Sequence, residues 1–239
     1  MGVADSVESL VEEHGSLGRN LVQVTMPRMT VLECAQIVDK ALAKTEVTID
    51  DDAKFNIARI AQGMPYYVHV IGQSAAYAAI DCRRTRITMA DVANGLEAAT
   101  ENTISTIRTH YQQALRSART EKYPQVLLAC AFTKSDDLGF FTASAVRKPL
   151  EVFMGSPAPV SSFAKHLEKL CDDSRGAVLE KRGEPRRYAY RFKDSLVPPY
   201  VGMRGLEQGL ITPAMLDVLF PSDMVGSSQE LGRAGKAGA

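Results

Sequence analysis

A helical spacing of apolar residues over nearly ninety positions constrains this chain more than any other feature. From residue 30 to about residue 118 apolar side chains recur every three or four positions, which places them on one face of a helix. Thr30 and Thr88 each precede such a stretch as helix caps. Asp91 stands three residues after Thr88, the spacing of a capping box. We expect four helices, the last running from residue 89 towards 118, packed as a small bundle.

The start of the third helix is marked by a glycine and a proline. Asp50 is placed to cap the second helix, and Gly63 is a natural stop at its end. Pro65 then begins the third helix, where a missing N–H costs nothing. The turn between these two helices is therefore tight and well defined.

In residues 119–212 the spacing of apolar residues changes, and this segment is predicted to form a separate domain. The pattern gives three helices followed by two alternating strands: helices over residues 123–132 and 142–154 and from residue 161, and strands over 178–182 and 187–192. Three helices followed by a hairpin is the order of a winged helix-turn-helix. The expected fold is thus mainly α, a four-helix bundle followed by a winged helix with a small β-hairpin.

The two ends of the chain are unlike the middle. Residues 1–29 predict a short helix and one strand at residues 21–24 with no partner strand in the chain, which is typical of the end of a larger sheet domain. We expect the chain to be part of a longer protein. Residues 213–239 are rich in Gly, Ser and Ala towards their end and are predicted to be mostly disordered.

Composition excludes several classes of function. Lys and Arg together number 28, as do Asp and Glu, so nucleic-acid binding by bulk charge is not expected. The four cysteines form no CxxC pair, and four scattered histidines offer no metal site. No apolar run reaches the ~20 residues of a membrane span, and the acidic start is not a signal peptide. A cytoplasmic protein without membrane contact is predicted.

Short motifs in residues 1–29 resemble AAA+ ATPases from the sensor-1 strand to the last core strand. They are Gly-Val-Ala-Asp at 2–5, His-Gly-Ser-Leu-Gly-Arg-Asn at 14–20 and Val-Gln-Val at 22–24. The segment 30–118 is similar to the AAA+ lid, and 119–212 looks like the winged helix of origin-recognition and initiator-type members. The resemblance implies that Arg19 is an arginine finger acting on a neighbouring subunit's ATP, with Arg28 a second candidate.

The lid departs from many AAA+ proteins at the start of its third helix. The sequence there is Gly-Met-Pro-Tyr from Gly63 to Tyr66, without the arginine of the usual Gly-Asp-x-Arg. This Gly-x-Pro pattern resembles the STAND branch and transposition-helper ATPases. It implies that Gly63, Pro65 and Tyr66 contact the base side of ATP or ADP, bound with Mg²⁺ in the intact ATPase.

The chain contains no P-loop and no acidic strand to hold Mg²⁺. We therefore expect it to bind no cofactor and to hydrolyse no ATP by itself. Its role in the intact ATPase is then to respond to nucleotide or to bind a partner.

Seven basic residues of the second segment are candidate contacts for double-stranded DNA. They are Lys165, His166 and Lys169, predicted on the exposed face of the third helix, and Lys181, Arg182, Arg186 and Arg187 at the hairpin. Acidic residues lie between them, so contact with a protein partner stays open. Two further alternatives are a stand-alone winged-helix DNA-binding regulator that self-associates through a helical dimerisation bundle, and a protein-interaction scaffold.

Overall fold

The computed structural model describes residues 28–116, 122–136, 138–184 and 187–220. Within these ranges the chain is mainly helical, with ten α-helices and two small sheets. The first segment contains α1 (Val31–Leu42), β1 (Thr48–Ile49), α2 (Asp51–Ala61), α3 (Pro65–Asp81), β2 (Arg86–Ile87), α4 (Met89–Glu101) and α5 (Ser105–Leu115). The second contains α6 (Lys122–Ala131), β3 (Phe141–Thr142), α7 (Ala143–Met154), α8 (Ala164–Leu170), β4 (Leu179–Arg182), β5 (Ala189–Phe192), α9 (Val197–Glu207) and α10 (Pro213–Leu219). Short 3₁₀ turns at Val160–Ser162 and Asp173–Arg175 flank α8.

The capping box predicted at Thr88 forms, and the predicted cap at Thr30 is also a capping box. At the start of α1 the Thr30 hydroxyl accepts from the Glu33 N–H, and the Glu33 carboxylate accepts from the Thr30 N–H at 2.7 Å. At the start of α4 the Asp91 carboxylate accepts from the Thr88 N–H at 2.9 Å. Asp50 differs from the prediction, because its side chain makes no cap bond to α2 and instead accepts from Arg86.

The helix predicted from residue 89 towards 118 is two helices in the structure. α4 ends at Glu101 and α5 begins at Ser105, so the first segment has five helices rather than four. The hydroxyls of Thr100 and Thr103 both donate to main-chain carbonyls of the last turns of α4. Hydroxyls that bond back in this way compete with continued helix, which is consistent with a break here.

Two close contacts hold the first segment together. β1 and β2 pair in parallel, Thr48 opposite Arg86, and this ladder ties the start of α2 to the start of α4. α4 also lies very close to α3 at Gly95, where an added Cβ would be 2.7 Å from the carbonyl carbon of Ser74. Ala75 and Ala79 of α3 are fully buried, and their small side chains suit this close approach of the two helices.

In the second segment the predicted hairpin is present and gains a third strand. β5 lies between β4 and β3 and is antiparallel to both. Sequence reasoning missed β3, because its two residues are too short for a recognisable alternation. Pro149 lies inside α7, yet the helix runs on to Met154.

Helix α9 joins the two segments. It contacts α6 on one side and α2, α4 and α5 on the other, so one continuous core runs through both segments. The Tyr67 hydroxyl of α3 donates to the Leu196 carbonyl just before α9 at 2.6 Å. The Arg59 guanidinium of α2 pairs with Asp217 of α10 at 2.6 Å.

Several sequence expectations lie outside the described residues. These include the helix and strand of residues 1–27, the boundary at residue 118 and the tail after residue 220. Within the segment predicted to be mostly disordered, α10 is a helix capped by Thr212, whose hydroxyl accepts from the Met215 N–H. No helix in the described part of the chain is both long and apolar enough to cross a bilayer.

Candidate functional site

The turn between α2 and α3 carries the predicted nucleotide-contacting residues. Gly63 has a φ of +77°, and a Cβ there would lie 2.5 Å from the Met29 carbonyl oxygen. The Met29 N–H donates to the Gly63 carbonyl at 3.1 Å. Glycine is therefore required by the close approach of residues 28 and 29, independently of any ligand.

The other two residues of this turn offer an apolar surface. Pro65 is exposed in the first turn of α3. Tyr66 is half-buried, and its ring meets that of Tyr67 edge-on at 5.0 Å. These side chains suit contact with a base, but they supply no charged group for phosphates or Mg²⁺. A nucleotide held here would need other residues for its phosphate end.

The two arginine-finger candidates have different outcomes. Arg19 lies outside the described residues. Arg28 donates to the Gln62 carbonyl and to the Ser195 carbonyl, each at 3.2 Å. Its guanidinium thereby links the α2–α3 turn to the turn before α9, a structural use that the sequence did not suggest.

Two of the predicted helix cations lie on an exposed face of α8. Lys165 and Lys169 are one helical turn apart and both are exposed. Lys169 pairs with Asp172 at 3.0 Å, an exposed pair of little strength. Lys165 has no ion pair within the described ranges. Both ammonium groups are thus accessible to an anionic partner.

His166 was expected on the same exposed face, and the structure places it elsewhere. It is half-buried, with its ring 4.7 Å from that of Tyr123 on α6. Burial, together with the charges of Lys122 and Arg175, lowers the pKa of His166, so the imidazole is neutral at pH 7. It therefore contributes no positive charge to the α8 face.

The hairpin divides its cations between its two faces. Successive residues of a strand point to opposite sides, so Lys181 and Arg182 diverge. Lys181 lies opposite the buried Tyr190, on the face of β4 towards the helices, with its ammonium 4.6 Å from the centre of the Tyr188 ring. β4 contacts α8, the helix that carries Lys165 and Lys169.

The side chain of Arg182 contacts the loop before β3. It pairs with Asp136 at 3.1 Å and lies 3.7 Å over the Phe140 ring. Asp136 also accepts from the N–H groups of Leu138 and Phe140, which fixes the loop. An Asp just before a glycine-containing turn is a recognisable turn signal, but its pairing with Arg182 has none. Arg187 is exposed, and Arg186 lies outside the described residues.

No group of three or more His, Cys, Asp or Glu within the described ranges is arranged to hold a metal ion.

Comparisons with known proteins give a distant likeness only. No protein-family model matches the chain, and no curated protein does. The solved structure of Drosophila ORC bound to DNA is 16% identical with a TM-score of 0.30, over 79% of this chain and 48% of that one. The Aeropyrum pernix ORC2 protein in ADPNP–ADP complexes is 13% identical with a TM-score of 0.38, over 91% and 53%. This chain spans about half the length of each of these chains.

Proposed function

We propose that this chain is the lid and winged-helix part of a nucleotide-dependent AAA+/STAND-type switch ATPase, and that it contacts DNA or a DNA-bound protein without hydrolysing ATP itself. The observation that carries the proposal is the order of elements from α6 to β5. Helix, strand, helix, helix and hairpin follow one another directly after a helical bundle, as in a winged helix-turn-helix placed after a lid.

Lysines on α8 and on the adjoining strand support the DNA part of the proposal. In helix-turn-helix proteins the last helix of the unit enters the major groove. α8 takes that place in the order and presents Lys165 and Lys169 to solvent, with Lys181 on the adjoining strand. Exposed lysines bind the phosphate backbone as point charges. His166 and Arg182 contribute less, since the first is neutral and the second is paired.

The nucleotide part of the proposal rests on the turn between α2 and α3. Pro65 and Tyr66 form an apolar surface at the start of α3, where a base of ATP or ADP would lie in the intact ATPase. The same turn is bonded to the segment before α9 through Arg28. A shift of this turn on nucleotide binding would therefore be transmitted to α9, the helix that joins the two segments.

Fluorescence anisotropy with a mixed-sequence 20-base-pair duplex tests the DNA contact. The variant K165Q/K169Q/K181Q removes two charges from α8 and one from the adjoining strand β4. We expect its affinity at low salt to fall at least about tenfold and its salt dependence to weaken by roughly two to three units of log–log slope, since each phosphate contact contributes about 0.9. The control K40Q/K44Q/R83Q removes three exposed charges elsewhere and should bind as the wild type does.

Other outcomes point to the alternatives. Equal losses in both triple variants would mean that binding follows bulk charge and not the α8 face. Absence of binding at low salt would contradict DNA contact and favour a protein-interaction scaffold. A concentration-dependent dimer that binds a defined duplex would favour the stand-alone regulator.

A further inference from the structure

A cavity of about 260 Å³ lies where the first segment meets the sheet of the second. Arg28 and Gln62 line it from the first segment, and Phe141 of β3 and Phe192 of β5 line it from the sheet. At ~30 Å³ per water it has room for roughly eight waters or one small organic molecule. Neither the apolar surface at Pro65 and Tyr66 nor the lysines of α8 line this cavity. It is therefore separate from the proposed nucleotide contact and from the proposed DNA contact.

Two guanidinium groups, those of Arg28 and Arg191, and several hydroxyls line this cavity. Arg28 is fixed by its bonds to the carbonyls of Gln62 and Ser195, and no carboxylate of the described residues lies within ion-pairing distance of its guanidinium. The hydroxyls of Ser135 and Ser195 add two further groups that can donate. A guanidinium whose position is fixed and whose charge is not neutralised favours an anion.

Gln62 is the unusual residue in the wall. Its backbone is left-handed, with φ 49° and ψ 41°, a conformation that is uncommon for a residue other than glycine. Its side-chain nitrogen is buried and has no hydrogen-bond partner within the described part of the chain. A glycine at this helix end would avoid both costs. Strained residues with unpaired polar atoms are found at ligand sites, where the ligand supplies the missing partner.

The opposite wall of the cavity is apolar and determines which kind of ligand body can bind. Phe141 and Phe192 come from neighbouring strands, and Leu138 and Pro198 complete the apolar side. The cavity thus has an apolar wall on one side and polar groups on the other, and small-molecule sites use such polar groups to fix the orientation of a ligand. We propose that this cavity binds a small anion with an apolar or aromatic body, whose phosphate or carboxylate group is held by Arg28 and the Gln62 amide.

Isothermal titration calorimetry on the full chain, with phenyl phosphate and with benzoate as probes, tests the site. We expect one of the two to bind with a 1:1 stoichiometry, and the one that binds identifies the anionic group. Neutral benzyl alcohol should not bind. Arg28→Gln should weaken binding about ten- to a hundredfold, the effect of losing a charged hydrogen bond.

Gln62→Gly separates a ligand role from a structural one. The variant should unfold about 2 °C higher than the wild type without ligand, because glycine adopts the left-handed backbone freely. It should nevertheless lose about tenfold in affinity. The matched control is Arg83→Gly, at another left-handed residue (φ 56°) that is exposed and does not line the cavity. It should also be stabilised, but its affinity should be unchanged.

Three results would overturn the proposal. They are the absence of binding by either anion at millimolar concentration, equal binding of benzyl alcohol, and undiminished affinity in Gln62→Gly. If Arg28→Gln does not fold, the comparison of Gln62→Gly with Arg83→Gly decides alone, since glycine suits both backbones.

Discussion

The two segments of this molecule are held together by different kinds of contact. In the first, helices meet backbone to backbone at small residues such as Gly95 and Ala75, and buried or capping carboxylates bond to helix starts. In the second, aromatic rings lie at the contacts between helices and between helices and turns. Phe132 meets Phe153 edge-on at 5.8 Å, and the Arg175 guanidinium lies 3.6 Å over the Tyr123 ring.

This difference teaches where each segment tolerates change. Backbones in contact have no freedom to separate without moving whole helices, whereas side chains can change rotamer or shift locally. The first segment should therefore respond sharply to single atoms and single charges. The second should respond less to changes of the same kind.

The largest effect is expected from removing the buried carboxylate of the first segment. Asp91 is fully buried and accepts from Arg84, from the Thr88 N–H and from the Thr88 hydroxyl. We expect Asp91→Asn to lower the free energy of unfolding by about 3 kcal/mol, the low end for a broken buried ion pair, because Arg84 is partly exposed. Urea unfolding at pH 7 measures it.

The pH dependence of this loss has a definite sign. Hydrogen bonding from Arg84 lowers the pKa of Asp91 from the usual 3.8 to about 2, so its charge stabilises the folded state above pH 4. That contribution is lost as the pH falls from about 4 towards 2. The difference between wild type and Asp91→Asn should therefore shrink over this range.

Asp172 of the second segment is the control. Hydrogen bonding from the Ser174 N–H likewise lowers the pKa of Asp172 to about 2, but this side chain is 41% exposed, whereas that of Asp91 is fully buried. Asp172→Asn should lower the free energy of unfolding far less than Asp91→Asn does. Equal losses would contradict the contrast between the segments.

A pair of glycines tests tolerance of added volume. Gly95 of α4 and Gly205 of α9 both leave only 2.7 Å between an added Cβ and its nearest neighbour. For Gly95 that neighbour is the backbone of Ser74, whereas for Gly205 it is the terminal methyl of Leu128. We expect Gly95→Ala to destabilise by about 1–3 kcal/mol, although alanine favours helix by about 1 kcal/mol.

Gly205→Ala should change stability little, because Leu128 can move and the helix gains propensity. Gly72→Ala in α3 sets the reference, since nothing lies within 4 Å of its added Cβ. It should stabilise by up to about 1 kcal/mol. Thermal unfolding of the three variants in one buffer gives the order, and a Gly205 loss as large as that of Gly95 would remove the distinction between backbone and side-chain contacts.

The sequence predicts local features of both segments but not the contacts between residues that are distant in the chain. The capping boxes at Thr30 and Thr88 and the turn at Gly63 depend on residues a few positions apart, and a pattern of that length can be read directly. The pairing of β3 with β5 and the salt bridge of Arg182 with Asp136 join residues about fifty positions apart. No local pattern specifies such a partner, because it depends on how the whole segment folds.

The candidate site divides in the same way. Periodicity placed Lys165 and Lys169 on one face of a helix, and the structure shows both exposed. It also placed His166 on that face, and this was wrong, because the ring packs on Tyr123 of a helix more than forty residues earlier. The role of Arg28 and the strain at Gln62 carried no sequence signal. Both arise from contacts with segments that are distant in the chain.

A loss of about 1 kcal/mol is expected from a substitution at the joint between the segments, and it tests whether they unfold together. Tyr67 is fully buried, and burial raises the pKa of its hydroxyl, which stays neutral and donates to the Leu196 carbonyl. Tyr67→Phe leaves that carbonyl without its partner and should cost about 1 kcal/mol. Tyr190→Phe in the sheet is the matched control, since its hydroxyl makes no hydrogen bond to the described residues. Amide hydrogen exchange should quicken at residues 194–197 in the first variant only. If exchange there is unchanged while stability falls, the bond stabilises the first segment alone and does not join it to α9.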